Sequence, residues 1–134
     1  MADYACAVLQ QQGRILLGLR APHRRAYANK WDVLGGKVEA GETIEMALVR
    51  ELGEELGVVP TAWTPLCILH DDSPAARGDG HYHMFLVTGW TGGAPRMCND
   101  EHSRLAWFTA DEACALADLA LPAYREMFRG IPSG

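Results

Sequence analysis

Polar punctuation divides the chain into short apolar runs. Ala5 to Leu9 contains no polar residue, and Arg14 to Leu19 is nearly as apolar; Gln11-Gln12-Gly13 separates them. Short apolar runs bounded by turn residues predict two strands joined by a tight turn. A polar, basic stretch from Arg20 to Lys30 predicts a loop, and Trp31 to Leu34 a short strand running into Gly35-Gly36. From Thr43 the spacing changes to that of a helix. Leu48, Val49, Leu52 and Leu56 form an apolar stripe, Thr43 is the expected N-cap, and Gly57 supplies a left-handed C-terminal residue. Strands are expected again over Trp63 to Leu69, His81 to Trp90 and Arg104 to Phe108, with a turn at Thr91-Gly92-Gly93. Thr109-Ala110-Asp111-Glu112 is a capping-box pattern that opens another helix. Pro122 suits the first position of a last short helix. The pattern predicts a mixed sheet with helices packed on it, an α/β (α+β) class, in a single domain over residues 1–134.

Composition narrows the partners. The 134 residues are 49% hydrophobic and 22% charged, near the globular average, so disorder is not indicated. A net charge of −5 lacks the basic footprint of a general nucleic-acid binder and argues against docking on anionic membranes. No apolar run approaches the roughly 20 residues of a membrane span. Met1-Ala2-Asp3-Tyr4 has no basic segment of the signal-peptide kind. Cys6, Cys67, Cys98 and Cys114 lack paired spacing, as expected of reduced thiols in a cytoplasmic protein.

Candidate chemistry lies on the predicted helix. Glu51, Glu54 and Glu55 stand at i, i+3 and i+4, within an arc of about 100°. Like charges at that spacing repel, and only Arg50, four residues before Glu54, offsets them. A divalent cation among the carboxylates resolves the conflict. Hard oxygen donors of this kind suit Mg²⁺ or Mn²⁺.

Gly36, Glu42, Arg50, Glu51, Leu52, Glu54, Glu55, Gly57 and Val58 together match the signature of the Nudix hydrolases, and the surrounding order of elements is similar across the chain. This resemblance implies an α/β/α sandwich and hydrolysis of a nucleoside diphosphate linked to another group. It implies that Glu51, Glu54 and Glu55 bind metal with the Gly36 carbonyl, and that Arg50 pairs with Glu42 and Glu54 to orient them. Gly35 lets the backbone turn close to the ion. Glu101, on a loop before Trp107-Phe108, resembles an additional family glutamate that serves as ligand or base; Glu54 and Glu101 both stand as candidate bases.

The substrate is less legible. Arg20, His23, Arg24, Arg25, Lys30 and Lys37 form a basic stretch ahead of the acidic helix, able to grip a polyphosphate. The segment from Asn29 to Val38 resembles MutT-like members, which implies that Asp32 meets the base. Ala123 and Tyr124 depart from the purine-oxidation pattern, and Tyr124 is expected to stack on or bond a base. The expected reaction converts a nucleoside triphosphate to monophosphate and pyrophosphate. ADP-ribose or nucleotide-sugar hydrolysis, a non-catalytic sensing module and an isoprenoid diphosphate isomerase are alternatives, and the oligomeric state is open, a homodimer included. His81 and His83 are expected to line the cleft or pair with neighbours rather than bind metal. His70, Asp71 and Asp72 are expected to end a strand, and Trp63, Trp90 and Trp107 to pack against the sheet.

Overall fold

The computed structural model describes residues 2–71 and 80–133; Asp72 lies outside them. The elements are β1 (Ala2–Gln11), β2 (Arg14–Arg20), β3 (Trp31–Asp32), β4 (Leu34–Lys37), α1 (Ile44–Leu56), β5 (Val59–Asp71), β6 (Gly80–Thr91), β7 (His102–Phe108), α2 (Ala110–Cys114) and α3 (Tyr124–Arg129). Strand β1 is the spine. It runs parallel to β6 and antiparallel to β4, and its last residues form a hairpin with β2. Strand β2 carries β3 and β7, while β5 pairs antiparallel with β6, so the sheet is mixed.

Because β1 is central, both of its faces are buried, which explains its unbroken apolar run. Successive side chains point to opposite faces. Ala5, Ala7 and Leu9 meet Ala47, Leu48, Leu52 and Leu56 of α1. Tyr4, Cys6 and Val8 join a second core with Tyr124, Met127 and Phe128 of α3 and Ala113 of α2. Helices therefore cover both faces, as the α/β/α expectation required. Trp63, Trp90 and Trp107 pack at the edge of the α1 core, and Trp90 stacks on Trp107 at 6.3 Å.

The turn between β1 and β2 places Gln12 and Gly13 at φ 52° and 74°, suited to a tight two-residue hairpin. Prolines 60 and 65 lie in β5, where the register shifts against β6. Such residues belong at an edge strand, where a missing N–H can face solvent.

Three expectations change. Trp31 to Leu34 is not one strand: β3 pairs with β2, and β4 pairs with β1. The chain breaks between them because the Val33 N–H donates to Asp32 Oδ1 at 2.9 Å rather than continuing either ladder. Val49 is 37% exposed, and Ala47 takes its place in the buried stripe, because the sheet meets α1 on the side of Ala47 and Glu55. The last helix begins at Tyr124, after a turn in which the Tyr124 N–H bonds the Leu121 carbonyl.

The ends of α1 match their reading. Thr43 accepts a hydrogen bond from the Met46 N–H, and Gly57 is left-handed at φ 69°. A Cβ on Gly57 would also come within 2.7 Å of the Arg96 guanidinium, a flexible group that can yield. The backbone conformation therefore dominates the cost of substitution. Gly57→Ala is expected to lower unfolding free energy by about 1–2 kcal/mol, measured by urea denaturation; an unchanged midpoint would show that the helix end relaxes freely.

Candidate active site

Arg50 organises the acidic face of α1. Its Nε and Nη2 donate to both oxygens of Glu42 at 2.7 and 2.9 Å. Its Nη1 donates to Glu51 at 2.8 Å and to Glu54 at 3.2 Å, and Nη2 also reaches the Lys37 carbonyl at 3.0 Å. The expected pairing with Glu42 and Glu54 is present, with Glu51 added. This planar fork ties the helix to the 37–42 loop and fixes the direction of each carboxylate. Arg50 holds the Glu42 carboxyl below its ordinary pKa, and the Glu39 N–H adds to that effect.

The cleft beside this brace has a volume of about 320 Å³. Glu51, Glu55 and Glu101 converge on it, with Gly35, Gly36 and Lys37 along one side. Gly36 lies so close to Glu51 that a Cβ there would sit 2.6 Å from the carboxylate. Gly35 adopts φ 131°, and its N–H donates to Glu55 Oε2 at 2.9 Å. A side chain at Gly35 would strike the Ala5 carbonyl oxygen on β1, so only glycine lets β4 pass there.

Glu54 is not brought to the cleft. Its side chain is 57% exposed and is held by Arg50. Glu101 arrives from the opposite side, on a loop anchored to the end of α1. The Arg96 and Cys98 N–H groups bond the Leu56 and Glu55 carbonyls, satisfying acceptors that the helix leaves open. The Glu101 carbonyl then accepts from the Ala21 N–H, and its side chain pairs with Arg24 at 3.3 Å.

The basic stretch is divided by this packing. Arg24 and Lys37 line the cleft, Arg20 is buried at its base, and Arg25 opens onto a neighbouring depression of about 620 Å³. Arg20 holds Asp32 at 3.3 Å and donates through Nε to the Ala26 carbonyl at 2.7 Å. Asp32 also accepts from the Tyr124 hydroxyl at 2.5 Å. Tyr124 itself is fully buried among α3 and core residues, so it does not offer its ring to a ligand as expected. It fixes Asp32, which lines the cleft while only 1% exposed.

Sequence reasoning missed His102, Tyr4 and Cys6, all of which line the cleft. Tyr4 stacks on Tyr82 at 4.7 Å, forming an apolar wall with Cys6, Val33 and Leu34. Extending the β1 alternation outward from Cys6 would have placed Tyr4 on the same face. His102 lies just outside the last strand expected from the sequence, Arg104 to Phe108; β7 starts two residues earlier, at His102. Of the two outcomes expected for His81 and His83, the structure shows pairing with a neighbour: they approach Asp3 at 3.9 and 2.9 Å, beside Tyr4 on the β1–β6 pair, and are not among the residues lining the cleft.

The donor set fits a divalent cation. Glu55 is 2% exposed, and its Oε1 has no hydrogen-bond partner among the described residues, an arrangement that is costly unless a cation or a proton satisfies it. Glu51, Glu55, Glu101 and the Gly36 carbonyl are hard oxygen donors of the type that hold Mg²⁺ or Mn²⁺.

A model of the NUDIX domain family matches residues 1–130. The nucleoside triphosphatase NudI of Salmonella newport is 35% identical over 121 residues, covering 85% of each chain. The crystal structure of a MutT NUDIX hydrolase from Burkholderia pseudomallei superposes with a TM-score of 0.84 at 30% identity, covering 98% of both chains. The E. coli ORF135 protein superposes at 0.78 and 29% identity, covering 96% of this chain and 86% of its own.

Burial sets the electrostatics of the site without metal. It pushes the Glu55 carboxyl well above its ordinary 4.5; Glu101 and Glu51 add to the shift, and the Gly35 N–H opposes it. Burial also raises Glu51, against the pull of Arg50. It lowers His102 below 6.5, while Asp32 and Glu101 act in the other direction. As pH rises above 4.5, an unfolded chain ionises Glu55 while the folded one keeps its proton, so Glu55 removes stability until its folded pKa is passed. His102 has the opposite sense, costing stability as pH falls below 6.5. Urea denaturation in chelator from about pH 5 to 8 should therefore show wild type losing stability relative to Glu55→Gln as pH rises. Parallel profiles for the two proteins would mean that Glu55 titrates normally.

Proposed function

The chain belongs to the NUDIX family and is a Nudix hydrolase, and from that premise we propose that it converts a nucleoside triphosphate to the monophosphate and pyrophosphate with a divalent cation, Mg²⁺ or Mn²⁺. One observation carries this reading: Glu51, Glu55 and Glu101 face the same cleft as Lys37 and Arg24. Carboxylates alone would repel a polyphosphate. Carboxylates around a cation, with basic side chains at the rim, attract one. The name of the NudI relative, a nucleoside triphosphatase, supports the choice of a triphosphate.

Glu51, Glu55 and the Gly36 carbonyl would hold the cation, which supplies charge neutralisation at the phosphate oxygens and acidifies a water molecule. Lys37 and Arg24 bind phosphate oxygens, and Arg50 keeps Glu51 pointed inward. Water attacks phosphorus, the bond to the bridging oxygen breaks, and pyrophosphate leaves. Of the two candidate bases, Glu101 lines the cleft and Glu54 faces solvent. We assign the water's proton to Glu101. Asp32, fixed by Arg20 and Tyr124, faces the remaining space beside Tyr4 and serves as a polar contact for the base, with Tyr124 acting through it.

A screen of nucleoside triphosphates, ADP-ribose and nucleotide sugars with Mg²⁺ or Mn²⁺ tests the reaction. Monophosphate and pyrophosphate from a triphosphate are expected; release of products only from ADP-ribose or a nucleotide sugar would change the substrate class. Glu101→Gln should lower kcat by about 10²–10⁴-fold, typical for loss of a general base, with Glu54→Gln less affected. The reverse ranking would move the base to Glu54.

A further inference from the structure

Glu55, Glu101 and His102 each offer one donor atom, and all of these atoms lie within 4.8 Å of one another. His102 is buried, and its Nδ1 faces Glu55 Oε1 at 3.9 Å. That distance is too long for a hydrogen bond. It lies within the span of about 4.4 Å that two donors, each about 2.0–2.2 Å from a shared ion, can reach, and a small inward rotation of either side chain would bring both to bonding distance. The facing oxygen is the one without a hydrogen-bond partner among the described residues, on a side chain only 1% exposed, while Oε2 is already fixed by the Gly35 N–H. The imidazole is held in place by a deliberate gap in β2. A Cβ on Gly18 would lie 2.5 Å from the His102 ring.

We propose that His102 supplies an imidazole nitrogen to a divalent cation held also by Glu55 and Glu101, giving an inner site of two carboxylates and one histidine. This proposal rests on the metal-dependent reading above and adds a donor and a metal preference to it. An imidazole donor suits first-row transition ions better than Mg²⁺, which prefers an all-oxygen shell; among those ions Mn²⁺ binds such a donor most weakly, and Fe²⁺, Ni²⁺ and Zn²⁺ bind it more tightly. Ligation through one oxygen of Glu101 leaves its other oxygen for the proton. Gly18 acts as the positioning residue, since its missing side chain is what admits the ring.

The test is electron spin-echo spectroscopy of the full chain loaded with Mn²⁺ alone, paired with calorimetric titration of Mn²⁺ and Mg²⁺. Wild type should show modulation from a histidine ¹⁴N nucleus. His102→Gln should lose it, with Mn²⁺ affinity falling by about tenfold or more and Mg²⁺ affinity changing less. Gly18→Ala, which keeps every donor but crowds the ring, should also weaken the ¹⁴N signal, so the proposal is tested even if His102→Gln does not fold. Mn²⁺ bound without ¹⁴N modulation, or modulation that survives in His102→Gln, overturns the histidine ligand and leaves metal-dependent hydrolysis standing. No Mn²⁺ binding, together with hydrolysis in chelator, overturns both readings.

Discussion

The guanidinium of Arg50 is the interaction on which the site depends. Three carboxylates on one helical arc repel one another, and left alone they would spread into solvent. Arg50 holds Glu51 and Glu54 by one nitrogen and Glu42 by two, and its contact with the Lys37 carbonyl joins α1 to the strand carrying Gly35 and Gly36. A lysine could supply the charge but not this fork. Half-buried ion pairs of this kind matter less for stability than for direction: they fix where each oxygen points before any ligand arrives.

Beneath that brace lies a second constraint, the passage of β1 through the centre of the sheet. Its two faces belong to different cores, and the same strand borders the cleft. Tyr4 and Cys6 reach the wall on one face, while Ala5 and Ala7 meet α1 on the other. Gly35 crosses so near the Ala5 carbonyl that α1, β4 and β1 share one junction. The helix carrying the acids is thus set by packing of its apolar face, and the loop bearing Glu101 is fastened to its end by the Glu55 and Leu56 carbonyls. Packing on one side of α1 positions chemistry on the other.

The buried polar network explains why a basic loop sits beside an acidic site. Arg20 and Arg24 spend charge on Asp32 and Glu101. Each pair lowers the cost of keeping a carboxylate in a narrow cleft, where unpaired charge is expensive. Tyr124 contributes from the opposite core through a single hydroxyl, so α3 reaches the cleft without lining it.

Local rules in the sequence determined much of this protein. Helix α1 could be read from Thr43 to Gly57 because caps and an apolar stripe act over a few residues, and the carboxylate arc follows from helical periodicity alone. The hairpin at Gln12-Gly13 and the capping box at Thr109 are equally local. Tertiary structure decided the rest. Whether Glu54 or Glu101 faces the cleft depends on an Arg50 contact and on a loop anchored far away in sequence. The division of Trp31 to Leu34 into two strands arises because β1 and β2 compete for it. His102 has no local mark at all: it becomes a site residue because β7 pairs with β2 so that His102 faces Arg20 and its ring leans over Gly18, beside α1, which is distant in the chain. Periodicity tells which face of an element is apolar, but only packing against distant elements determines which polar groups meet.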